Sequence, residues 1–169
     1  MKRKSLFLVA FGVLTAAIII TSITSCNPVK KYEQEEQDTI DRYVLTLGDT
    51  AYVKTSRGLY YIELEEGTGI VPDFQDTVLI RYVGRLLSNG TVFDSNINAD
   101  LPFGFVVGMG EVITGLDEGI RYMKEGGKAK LVIPSRLAYG PYGYYNISGY
   151  TPLLFEVELV EVRPGPTTK

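Results

Sequence analysis

The sequence predicts an α+β domain, an antiparallel sheet with one short helix lying across it. Three observations carry that prediction. Several separate stretches alternate apolar and polar residues, as half-buried strands do. Within residues 59–163 one run, Ile113, Leu116, Ile120 and Met123, steps by three or four and forms a single apolar helix stripe. Ser88-Asn89-Gly90 supplies a tight hairpin turn, because Asn-Gly tolerates positive φ.

The chain begins with a basic cluster, Lys2-Arg3-Lys4, followed by Ser5 to Ser25 without a charge. The densest apolar stretch runs from Leu6 to Ile20, and residues 1–25 read as a secretory signal peptide. Ile23-Thr24-Ser25-Cys26 resembles a bacterial lipoprotein processing box: apolar, then small, then the cysteine to be acylated. Cys26 is the one cysteine and the candidate for lipidation, palmitate included. An uncleaved membrane helix is the alternative, since the uncharged run nearly reaches the roughly 20 residues a span needs; a soluble product is the third. Either main reading ties an exported domain to a membrane of the bacterial envelope, the outer membrane being favoured over the inner.

Residues 26–37 are polar and charged and read as a tether. Asp38 to Asp41 looks like a helix start; Ile40, Tyr43, Val44 and Leu47 follow at helical spacing, and Gly48 closes the run. This segment, with the extension to residue 58, is expected to dock on the domain. A partner-binding helix and a stiff spacer are its alternatives.

Leu59 to Glu65 is β-rich and ends at Glu66-Gly67. Val78 to Leu87 sets Val78, Ile80 and Tyr82 on one face, with Leu79, Arg81 and Val83 on the other. Thr91 to Phe93 begins the return strand, and Phe103 to Val107 is another after Pro102. Thr114 to Asp117 has the form of a capping box, and Gly126-Gly127 stops the helix. Lys128 to Ile133 is a strand ended by Pro134. In Pro152 to Val162 the apolar face changes after Leu159, which predicts a bulge or an edge there. Residues 164–169 are a tail.

Composition narrows the chemistry. There is no histidine and no tryptophan in 169 residues. Ser-His and Cys-His nucleophile pairs and histidine metal sites are therefore excluded. The net charge is −3, and losing Lys2, Arg3 and Lys4 with a leader leaves 14 basic against 20 acidic residues, or −6. That argues against nucleic acid as a partner. No coiled coil or long exposed strand points to a dimer, so a monomer is expected.

Seven short motifs remain. In order they are Val78 to Gly84, Gly90 to Ser95, Phe103 to Phe105, Gly110 to Gly115, Met123 to Gly126, Ile133 to Gly140 and Leu154 to Leu159. Their order and spacing resemble the FKBP-type peptidyl-prolyl isomerases over roughly residues 59 to 162. Each motif alone is only a strand or a turn. The resemblance implies a strongly curved antiparallel sheet of five to six strands half-wrapped around the helix, with a pocket between them. It implies rotamase activity on proline-containing unfolded or flexible chains, no cofactor, and macrolides as further candidate ligands.

By the same resemblance Tyr82, Asp94, Ile113 and Tyr139 carry catalysis. Phe93, Phe103, Val112, Leu116, Ile147 and Phe155 bind substrate. The Val112-Ile113 backbone would offer an N–H to the substrate carbonyl, and Tyr139 a hydroxyl at the rim. Read singly, the three phenylalanines and Tyr82 fit a plain core equally well, and Asp94 fits a turn with Ser95. An X-Pro amide rotates over tens to hundreds of seconds, against a barrier of about 18–20 kcal/mol. A dry site lowers that barrier because the twisted amide is less polar than the planar one.

The chain departs from well-known members in four places. Leu116 stands where they carry a tryptophan floor. Ser148-Gly149 follows Ile147 where two prolines are usual. Tyrosines fill Pro141 to Asn146, as a sticky rim or an ordered loop. No arginine follows Asp94 through Leu101, so Tyr82 or Arg85 is its expected partner. A non-catalytic peptide-binding module or holdase, favoured by Leu116, and a structural envelope lipoprotein are the rival functions.

Overall fold

The structure is a computed structural model and describes residues 28–166. The leader, Cys26 and the last three residues of the tail lie outside the described residues. The elements are α1 (Pro28–Thr46), β1 (Val53–Lys54), β2 (Tyr60–Glu65), β3 (Thr77–Leu86), β4 (Val92–Ser95), β5 (Phe103–Val106), α2 (Thr114–Ile120), β6 (Lys128–Ile133) and β7 (Leu153–Arg163). A single 3-10 turn, Ser135–Leu137, follows β6.

The strands form one antiparallel seven-stranded sheet, ordered β1-β2-β6-β7-β3-β4. It has one strand more than the upper expectation. The addition is β1, a two-residue edge too short to show alternation. β3 pairs with β7 along its length, so β4 and β5 share its other edge. Asn96 bridges the gap between those two short strands. Its carboxamide accepts the Tyr82 N–H at 2.7 Å and donates to the Ile80 carbonyl at 2.9 Å.

The bulge expected near Leu159 is present. Leu79 pairs with Glu161 and Ile80 with Leu159, which leaves Val160 unpaired. Leu159 and Val162 then both turn inward, while Val160 faces out. An extra residue of this kind bends its strand and increases the local twist.

Strand alternation buries both faces of the sheet centre. Leu59, Tyr61, Leu131, Ile133, Leu153 and Phe155 point to the core under α2. Tyr60, Ile62, Val132 and Leu154 point the other way, against α1. Helix α2 rests directly on β6 through two glycines. A Cβ on Gly115 would stand 2.3 Å from Ile133 Cγ2, and one on Gly119 2.5 Å from Leu131 Cδ1. The expected capping box at Thr114 does not form. Ile113 is the N-cap, without a side-chain bond, and both Asp117 carboxylate oxygens accept the Gly108 N–H instead, at 3.0 Å. A tertiary donor has taken the carboxylate.

Helix α1 docks as expected, with Ile40 1% exposed at the centre of the second core. Its start differs from the expectation. Residues 28–37, read as part of a tether, are helical from Pro28, a residue suited to the first helical position. Pairs four residues apart support the run: Lys31 with Glu35, Gln34 with Asp38 and Gln37 with Asp41. Polar residues along the outer face of a helix have the composition of a linker, and composition alone does not separate the two. Among the described residues no helix is long and apolar enough to cross a membrane.

Ile40→Ala is expected to destabilise the protein by about 2–5 kcal/mol. Urea unfolding checks this: one transition, with lower midpoint and unchanged slope, places α1 in the same cooperative unit as the sheet.

Candidate active site

A hollow of about 380 Å³ opens where α2 begins over the concave face of the sheet. Strand pleating aims its side chains. Tyr82 comes from β3, Phe93 and Asp94 from β4, Phe103 from β5 and Phe155 from β7. Val112 and Ile113 enter from the turn before α2, Leu116 from its first turn, and Tyr139 from the loop after the 3-10 turn.

The walls are aromatic. Tyr82 packs on Phe155 at 5.8 Å between ring centres and on Phe103 at 6.1 Å. Phe93 meets Phe155 edge-on at 5.7 Å and 76°. Gly84 makes room for the Phe93 ring, since a Cβ there would lie 2.7 Å from its Cζ. Leu116, 4% exposed, forms the floor.

Asp94 finds its partner in Tyr82, whose hydroxyl donates to the carboxylate at 2.6 Å. Arg85 turns away, to the Glu156 carboxylate at 3.6 Å and the Gly90 carbonyl at 3.3 Å. Burial, followed by the bond to Asp94, pushes the Tyr82 phenol well above its ordinary range. Burial, then the Asp94 charge, also raises Tyr139. Among the described residues the Ile113 N–H and the Tyr139 hydroxyl meet no protein acceptor. The hollow therefore presents an apolar interior, two unused donors and the Asp94 carboxylate, already held by a phenol.

Nine of the ten expected pocket residues line this hollow. Ile147 does not. It is 7% exposed, packs into the main core and bounds a neighbouring depression with Val92 and Tyr145. Tyr144 and Ile147 exchange backbone hydrogen bonds at 2.8 and 2.9 Å, and this tight reversal presents Tyr144 to the hollow instead. Tyr144 stacks on Tyr139 at 5.0 Å and 12°. Its signal in the sequence was the tyrosine-rich loop. Glu111, also in the wall, lies within the Gly110 to Gly115 motif without being singled out there; its carboxylate accepts the Val106 N–H at 2.9 Å and ties the turn to β5.

A larger depression, about 710 Å³, lies on another face. Arg57 pairs there with Glu118 at 3.5 Å and Arg121 with Asp73 at 3.7 Å. Charges of both signs suit a proline ring poorly. No cluster that could hold a metal occurs among the described residues.

The family model for FKBP-type peptidyl-prolyl cis-trans isomerase matches residues 69–160. The chain belongs to that family. It is 44% identical over 115 residues to the FKBP-type peptidyl-prolyl cis-trans isomerase FkpA of Escherichia coli K12, covering 68% of this chain and 42% of that one. The chain thus spans under half the length of that relative. An FK506-binding protein of Neisseria meningitidis serogroup B is 43% identical over 106 residues, covering 62% of this chain and 96% of its own. The crystal structure of a peptidyl-prolyl cis-trans isomerase from Pseudomonas syringae pv. tomato superposes with a TM-score of 0.69 at 33% identity, covering 81% of this chain and 97% of that one. Its fold is that of this FKBP-type domain. Every residue of the hollow lies inside the matched segment, and α1 lies before it.

The raised tyrosines set an alkaline limit. Tyr61 is pushed up to about 12, mainly by burial, and Tyr82 moves the same way, both from an ordinary 10.0. A proton held more tightly in the folded state stabilises it fully below the unfolded value and is lost as pH rises through the folded value. The urea midpoint is therefore expected to fall as pH rises above the ordinary tyrosine value of 10.0. Denaturation curves across that range check this, and Tyr82→Phe should make the fall shallower.

Proposed function

We propose that the protein accelerates cis–trans rotation about X-Pro bonds in exported, unfolded or flexible polypeptides. The observation that carries this reading is the apolar hollow with two unused donors, the Ile113 N–H and the Tyr139 hydroxyl. The proline ring enters among Tyr82, Phe93 and Phe155, above Leu116. Water, which favours the planar and more polar amide, is displaced. The donors hold the flanking carbonyls while the amide twists, and only contacts better made in the twisted state raise the rate. Tyr82 keeps the Asp94 carboxylate in place beside the reacting carbonyl. No covalent bond forms and no cofactor takes part. Burying a ring of this size yields roughly 1.5–3 kcal/mol, so single peptides bind weakly and leave readily.

Leu116 supports a second reading, a non-catalytic peptide-binding module. A leucine floor is smaller and more pliable than the tryptophan usual in the family. The basic and apolar leader with Cys26 supports export and lipid anchoring. Two or more acyl chains anchor stably, at about 0.8 kcal/mol per buried methylene.

A protease-coupled prolyl-peptide assay on residues 27–169 tests the isomerase reading. Phe93→Ala and Asp94→Ala should each lower kcat/KM about tenfold or more, the equivalent of ~1.4 kcal/mol or above, with circular dichroism unchanged. A background rate for the unaltered protein, with peptide binding retained, selects the binding module. For the anchor, mass spectrometry of the mature protein should find acylated Cys26 at the amino terminus. An intact Met1 rejects lipidation.

A further inference from the structure

The geometry points to Glu36 as a positioning residue for Tyr139, acting through Ser135 from a helix outside the matched family segment. The inference rests on the isomerase reading for its kinetic consequence, and on contacts alone for its structural one.

Ser135 is 4% exposed and is the buried polar residue of the described core. It opens the 3-10 turn that leads to Tyr139. N–H groups at the start of a helical turn lack partners within it. Here Glu36 of α1 supplies them. One carboxylate oxygen accepts the Ser135 N–H, and the other accepts its hydroxyl at 2.7 Å. The Ser135 carbonyl in turn accepts the N–H groups of Ala138 and Gly140, both at 2.8 Å. These residues flank Tyr139 on either side.

A second grip lies one helical turn away on the same face of α1. Tyr32 stacks on Tyr150 at 5.4 Å and 15°. The Tyr150 N–H donates to the Gly140 carbonyl at 3.0 Å. The chain of contacts therefore runs Glu36, Ser135, Gly140, Tyr150, Tyr32 and back along α1, with Tyr139 inside the circuit. Tyr150 has φ of +56°, a left-handed conformation that non-glycine residues adopt at a cost. A hollow of about 380 Å³ separates helix from loop, bounded by Glu36, Ser135, Gly140 and Tyr150. Close packing does not fill this joint, so the carboxylate and the ring stack hold it. The Tyr139 hydroxyl has no protein partner; its carbonyl accepts the Gly143 N–H at 3.2 Å and its ring stacks on Tyr144, and the backbone held by Glu36 sets where that unit stands.

A double-mutant cycle on the full-length protein tests this. Glu36→Ala should lower kcat/KM about three- to tenfold in the protease-coupled assay, an effect of up to ~1.4 kcal/mol. Glu36→Gln, which keeps one acceptor oxygen, should recover part of the loss. In a Tyr139→Phe background, Glu36→Ala should have no further effect. Hydrogen exchange should quicken at Ala138, Gly140 and Tyr150 in Glu36→Ala, with β3 and β7 unchanged. Tyr32→Ala should loosen the same amides. The full Glu36→Ala loss persisting in the Tyr139→Phe background overturns the positioning role, as does unaltered exchange at those amides. An inactive unaltered protein rejects the isomerase reading instead, and exchange then decides the positioning role by itself.

Discussion

The distance between α2 and β6 governs the rest of the molecule. Gly115 and Gly119 permit it, because any side chain there would run into Ile133 and Leu131. The helix consequently lies on the sheet without a spacer layer. Leu116, placed between the two glycines, reaches the depth at which it closes the hollow from below. The same seating brings Val112 and Ile113 to its edge. Aromatic side chains from four strands then converge on one small space. A helix lifted off the sheet would leave those rings around an open trough, where a bound amide stays hydrated.

The two faces of the sheet do different work. The concave face carries α2 and the hollow, and the opposite face carries α1 and the second core. β2, β6 and β7 alternate between the two, so each strand communicates packing from one face to the other. Polar chemistry is concentrated at few points. Tyr82 and Asp94 form a short bond in otherwise aromatic surroundings. The charged depression lined by Arg57, Asp73, Glu118 and Arg121 stands apart from them, its carboxylates engaged with guanidinium groups.

Much of this was legible in the residues. Strands β3 and β7 announced themselves through period-two alternation, a signal fixed by pleating, and β2, β4, β5 and β6 through β-rich runs and the glycines and prolines that bound them. The break in that period after Leu159 located the bulge within one residue. Nine pocket residues followed from the family resemblance, and the missing arginine left Tyr82 and Arg85 as candidate partners for Asp94, of which Tyr82 makes the bond. Failures have two causes, contacts distant in sequence and local loop geometry that leaves no periodic trace. Asn96 works as a side-chain rung in the sheet only because β4 and β5 leave a gap. Ile147 lost its place to Tyr144 through a local reversal that no periodicity records. The first turns of α1 looked like linker because Tyr32 and Glu36 find their partners about a hundred residues later in the chain. Asp117 looked like a cap because Gly108, its true donor, belongs to the preceding loop.

Strand β7 lies in the middle of the sheet, between β6 and β3. It is also the last strand that a ribosome delivers. Until residues 153–163 emerge, β3 and β6 have nothing between them, and their inward side chains share no common interior. Joining β3 to β7 closes a long stretch of chain, a slow entropic step compared with forming a hairpin. The domain consequently cannot close before β7 has been made, because β3 and β6 are joined only through it.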